Sequence, residues 1–107
     1  MVARNEIYWA NLEPPAGRRP VCILTRSRVI AVRSSVTVAP ITRRVRGIPS
    51  EVEVDRGEGL AHGGVINCDN VLTVPKAALD PEPIGDLSVV KQAELDRALR
   101  FALGIEY

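Results

Sequence analysis

Between residues 6 and 87 the chain is a succession of short β-branched or apolar runs, each stopped by glycine or proline. That punctuation restricts this span to strands and turns. EIYWANL (6–12) alternates, with Ile7, Trp9 and Asn11 on one face and Tyr8, Ala10 and Leu12 on the other. PVCILT (20–25) is apolar throughout, as expected for a strand covered on both faces. Pro20 cannot donate to a ladder and marks the expected first residue of that strand. SVTVAPIT (35–42) is β-branched up to Pro40, where a bend or an edge is expected. SEVEVD (50–55) alternates acid with valine, so one side should meet water. GVINCDN and VLTVPK (64–76) give two further short strands, and LDPEPIGDL (79–87) holds only a short strand or an extended turn.

The period changes at Ser88. SVVKQAELDRALRFALG spaces Leu95, Leu99, Ala102 and Leu103 at i, i+4, i+7 and i+8, one face of an amphipathic helix. Ser88 is the expected N-cap and Gly104 the expected stop. Strands followed by one helix point to a mainly β fold with a C-terminal α element: a small, strongly curved β-barrel carrying one long helix. With 107 residues, 46% of them apolar, and no repeat or linker, residues 1–107 read as a single domain.

No apolar run approaches the roughly 20 residues of a membrane span. The opening MVARNEIYWANL lacks the apolar stretch and small-residue site of a secretory signal. Cys22 and Cys68 fall in apparent strands and form no CxxC pair, so buried free thiols and a cytoplasmic location are expected. The net charge of +1 conceals a division. Residues 1–50 carry nine arginines against Glu6 and Glu13, a balance of +7, and residues 51–107 carry −6. Either folding interleaves the halves into a mixed surface, or the arginine-rich half meets a polyanion, for which guanidinium groups are well suited.

Many familiar sites are absent. There is no GxGxxG, P-loop, HExxH or GxSxG pattern. The single histidine, His62, precludes a two-histidine ribonuclease mechanism within one chain, and one His with two separated Cys does not make a zinc site. No metal or cofactor is expected. Three polar clusters remain: Arg18–Arg19 before the second strand, the loop of Arg43, Arg44 and Arg46 after Thr42, and NCDN (67–70), which sets Asn67 and Asp69 on one expected strand face.

Taken in order, GRRP, APIT, VINCDN and the terminal LGI resemble the MazF/PemK-type toxins of bacterial toxin–antitoxin modules. The resemblance extends to the EIYWANL strand, the Gly-Ile-Pro-Ser-Glu that follows the basic loop and the LDRALRFALG helix, and so covers nearly the whole chain. It implies an SH3-like curved barrel, a homodimer, and metal-independent, sequence-specific cleavage of single-stranded RNA. It also implies inhibition by a cognate antitoxin with an acidic disordered tail. The family's catalytic arginine and threonine fall on Arg19 and Thr42, and the aspartate used by some members falls on Asp69. Those members have an arginine where this chain has Asn67, and a longer first loop where it has EPPAG, which favours the Arg19/Thr42 version.

In that version the 2′-OH attacks the phosphorus and leaves a 2′,3′-cyclic phosphate and a 5′-OH. Arg19 and Thr42 stabilise the phosphorane charge, while Arg18, Arg43, Arg44, Arg46 and Asn67 hold the RNA. Arginine stays protonated and makes a poor base, so Asp69 is either the base or a structural carboxylate paired with an arginine. His62, set among glycines, reads as part of a turn, and Trp9 as packing. Two other readings share the fold. One is a gyrase-poisoning toxin, disfavoured because that branch ends in Trp-Gly-Ile and this chain in Leu-Gly-Ile-Glu-Tyr. The other is an inactive RNA-binding barrel.

Overall fold

The computed structural model describes residues 1–106. In chain order the elements are β1 (Glu6–Asn11), β2 (Arg18–Ile23), the one-turn helix α1 (Ser27–Ile30), β3 (Ser35–Thr42), β4 (Glu51–Val54), β5 (Gly64–Asn67), β6 (Leu72–Pro75), β7 (Gly85–Asp86) and α2 (Val89–Leu103). The strands pair antiparallel in the order β4-β5-β3-β2-β1-β7, and β6 also pairs with β3. This is the expected mainly β architecture, a strongly curved half-barrel with a helix packed on it.

β3 is the hub. Its residues Val38–Pro40 pair with β2, Ser35–Val38 with β6, and Ile41–Thr42 with β5. The run of β-branched residues suits a strand covered on both sides. Val36 and Val38 join one apolar cluster with Tyr8, Ala10, Val21, Ile23 and Ile30, while Ala39 and Ile41 join the other with Ile7, Cys22, Val52, Ile66 and Leu95. Two cores, one on each face, explain why PVCILT carries no polar alternation.

Pro20 is an exception to the expected pattern. It lies third in β2, opposite Trp9, rather than first. Registered pairing with β3 begins only at Val21, so its missing N–H costs no ladder bond on that side. The β4 alternation holds, with Val52 and Val54 buried and the glutamates turned outward. α1 stands where no helix was expected, and its Ile30 is fully buried. Cys68 and Asp69 lie on a 3₁₀ turn, Cys68–Asn70, and not on a strand. Both cysteines are free and buried, and desolvation pushes their thiols up, to about 12 at Cys22 and about 11 at Cys68.

The caps of α2 are those the sequence indicates. Ser88 Oγ accepts from the Lys91 N–H at 3.2 Å. Gly104, at φ 69°, closes the helix with its N–H on the Arg100 and Phe101 carbonyls, a left-handed conformation that suits glycine. The inward seam differs by one residue from the expected face. Leu95 and Ala98 are buried, with Leu99 and Ala102 packed beside them, while Leu103 is 62% exposed. The helix lies against β4 and the Cys68–Asn70 turn. Leu95→Ala is therefore expected to lose about 2–5 kcal/mol of stability in urea denaturation. Val90→Ala, at an exposed position of the same helix, should stay within about 0.5 kcal/mol.

Candidate active site

The Arg18–Arg19 pair separates into two different environments. Arg18 is committed. Its guanidinium donates to both carboxylate oxygens of Asp80, at 3.0 and 2.6 Å, and to Asn11 Oδ1 at 3.2 Å. Its face lies 5.3 Å from the centre of the Trp9 ring, a cation–π distance. Hydrogen bonding from Arg18 holds the Asp80 carboxyl below its ordinary range, with the guanidinium charge adding to the effect.

Arg19 uses only its Nε–H, which donates to the Ala16 carbonyl at 3.2 Å. Among the described residues its two Nη groups have no partner, which leaves the outer edge of the guanidinium free. Continuing the β2–β3 register two residues beyond Val21↔Pro40 sets Arg19 level with Thr42. Thr42 Oγ1 accepts from the Arg44 N–H at 3.2 Å, so the hydroxyl proton is available to donate outward. A Cβ built on Gly64 would stand 2.5 Å from the Thr42 carbonyl oxygen, so only glycine lets β5 close on the end of β3.

Arg19 and Thr42 border two hollows. The larger, about 270 Å³, is lined also by Trp9, Arg18, Pro20, Ile41, Arg43 and the segment Leu60–Gly64, including His62. The smaller, about 130 Å³, adds Pro40, Arg44, Arg46, Glu51, Asn67 and Asn70. Five arginines of the N-terminal half thus gather at one site. The guanidinium groups of only two of the nine form ion pairs with acids of the C-terminal half among the described residues: Arg4 with Asp96, and Arg18 with Asp80.

Asn67 lines the smaller hollow and accepts the Asp69 N–H on its own Oδ1 at 3.0 Å. Asp69 lines neither hollow and, among the described residues, meets no arginine. Its carboxylate accepts a 2.5 Å hydrogen bond from Ser50 Oγ, a residue that is 1% exposed. Glu51 is a contributor that sequence reasoning passed over. It accepts the backbone N–H groups of Arg46 and Gly47, each at 3.0 Å, and pins the basic loop. Its outward place in the β4 alternation was legible, but its use was not. Asp80, 61 residues beyond Arg19, gave no signal at all. Among the described residues, no group of three or more His, Cys, Asp or Glu stands together as a metal site would require, and no helix is long and apolar enough to cross a membrane.

Residues 3–103 match the model of the PemK-like, MazF-like toxins of type II toxin–antitoxin systems. The chain belongs to that family. It is 42% identical over 89 residues to endoribonuclease MazF3 of Mycobacterium tuberculosis, covering 83% of this chain and 85% of that protein. The solved structure of M. tuberculosis toxin MazF-mt6 superposes with a TM-score of 0.88 at 39% identity, over 95% of this chain and 99% of the other. A mycobacterial endoribonuclease solved in complex with its cognate antitoxin shares the fold, with a TM-score of 0.85 at 22% identity over 100% and 99% of the two chains. The family fold is thus the one that brings Arg19 and Thr42 together here.

Trp9, the only tryptophan, reports on the Arg18–Asp80 pair. Because the folded-state value of Asp80 is depressed, the pair is intact at neutral pH and is lost only as pH falls through that lowered value. Trp9 fluorescence should therefore change at a lower pH than an unpaired aspartate would give. Asp80→Asn should show the changed spectrum at every pH.

Proposed function

We propose that the chain is a metal-independent, sequence-specific endoribonuclease toxin that cuts single-stranded RNA. The 2′-OH attacks the adjacent phosphorus, the bond to the 5′-oxygen breaks, and the products are a 2′,3′-cyclic phosphate and a 5′-OH end. The observation that carries this reading is the unspent donor set at the level of Arg19 and Thr42. Two free Nη groups and one hydroxyl proton face hollows whose walls are rich in arginine. Such a set suits a phosphate that gains negative charge as it becomes pentavalent, because fixed donors need no reorganisation during the step.

Arg43, Arg44 and Arg46 hold the backbone of the strand on either side of the cut, with Asn67 contributing its amide N–H groups. Arg18 adds positive charge at the far end while its hydrogen bonds remain with Asp80. Asp69 acts as a positioning residue: tied to Ser50, it keeps the 67–70 turn against the segment that leads into Glu51. The same arginine-lined surface suits the acidic, disordered tail of a cognate antitoxin, which would cover Arg19 and Thr42 as it folds. A homodimer would cover apolar side chains left exposed toward the end of α2, Phe101 and Leu103 among them.

Incubation with RNA in excess EDTA tests the reading. Wild type should cleave, and Arg19→Ala should cleave about 10²–10³-fold more slowly. Intact RNA with wild type, or unchanged cleavage by Arg19→Ala, would overturn it. Binding of a non-cleavable single strand should weaken steeply with salt, and Arg44→Ala should flatten the slope of log K against log salt by about 0.7.

A further inference from the structure

We infer that His62 is the general base that takes the proton from the attacking 2′-OH, an inference that rests on the endoribonuclease reading above. The arginines leave that role vacant. In the 270 Å³ hollow the other ionisable side chains are Arg18, Arg19 and Arg43, which stay protonated. In the adjoining hollow the only acid is Glu51, which already accepts two backbone N–H groups. Asp69 lines neither hollow and is bound to Ser50. The imidazole is the remaining side chain lining the hollow that can both take up and release a proton, which a guanidinium cannot.

Its position is set by the sheet. Leu60 is buried two residues before it. Gly64, two residues after it, pairs with Val54 and abuts the Thr42 carbonyl, and the next residue, Val65, pairs with Thr42 itself. The segment that carries the imidazole is therefore anchored at both ends, and one anchor is the strand pair that holds the catalytic threonine. His62 is exposed on the hollow and makes no hydrogen bond among the described residues, so both ring nitrogens are open to substrate. Arg18 and Arg19 face it from β2 and Arg43 from the end of β3. Behind the turn, on the far side of Gly63–Gly64, lie Glu53, Asp55, Glu58 and Lys91.

The step balances as follows. Neutral imidazole accepts the 2′-OH proton as the bond from the 2′-oxygen to phosphorus forms. The bond to the 5′-oxygen breaks with its electron pair on that oxygen, which takes a proton from water. The imidazolium then returns its proton to the hydroxide left behind.

The test uses the purified full chain and a short single-stranded RNA oligonucleotide carrying a cleavage site mapped on a longer transcript. Single-turnover rates are measured from about pH 5 to 9. The wild-type rate should rise with pH along a single limb and then level, as expected for a base that must be neutral to act. His62→Gln should lose that limb and run about 10²–10⁴-fold slower at the plateau. It should still bind a 2′-O-methyl analogue of the oligonucleotide as wild type does. His62→Ala should regain rate when imidazole is added to the buffer, a rescue that a purely structural role would not give. Cleavage by His62→Gln at the wild-type rate with the wild-type pH limb, while Arg19→Ala is slow, would overturn the role of His62 alone. A wild-type chain that leaves RNA intact would overturn the nuclease reading and this inference with it.

Discussion

The structure depends on the pairing of one eight-residue strand with three partners. β3 gives one edge to β2 and divides the other between β6 and β5, and the change of partner falls around Ala39–Pro40. Proline lacks an N–H and bends poorly into a regular ladder, so a strand that must change partners accommodates it there. The same change curves the sheet. Thr42 consequently emerges at the open end, level with Arg19 of β2 and beside the turn that follows β4. A slip of one residue in this register would send Thr42 to the opposite face.

Charge follows from that geometry. The middle of each central strand is buried on both faces, so within the sheet guanidinium groups sit only at strand ends. Those of β2 and of the loop after β3 end on the same side of the sheet. The opposite charges of the two halves are partly neutralised by Arg4–Asp96 and Arg18–Asp80, both surface pairs of modest energetic worth. Their larger effect is selective. Asp80 occupies the donors of Arg18 and leaves those of Arg19 unspent, so two adjacent identical residues present different chemistry.

Much of this was legible in the residues. The bounds of β3 coincide with the β-branched run SVTVAPIT, because such a run suits a strand buried on both faces. Ser88 and Gly104 mark the ends of α2 because capping is local chemistry. Other elements depended on distant partners. α1 has too few residues for a periodic signal, and it exists because Ile30 has a cavity to fill. Leu103 turns outward, while Ala98, Leu99 and Ala102 take the inward seam beside Leu95. Asp69 reads as a strand residue until the 3₁₀ turn that bears it bonds to Ser50.

By itself the sequence determined the alternation of strands, the single terminal helix, the arginine-rich N-terminal half and the family motifs, since all of these are expressed in neighbours along the chain. Only the tertiary structure decided which of two adjacent arginines is free, that Glu51 is spent on the basic loop, and that His62 faces the hollow of Arg19 and Thr42. Arg18 meets Asp80 across 62 positions, His62 shares a hollow with residues 20 and 43 positions before it, and Glu51 bonds four and five positions back, in a loop bounded by strands that the register of β3 sets in place. Local composition carries no information about such a register until the strands have paired.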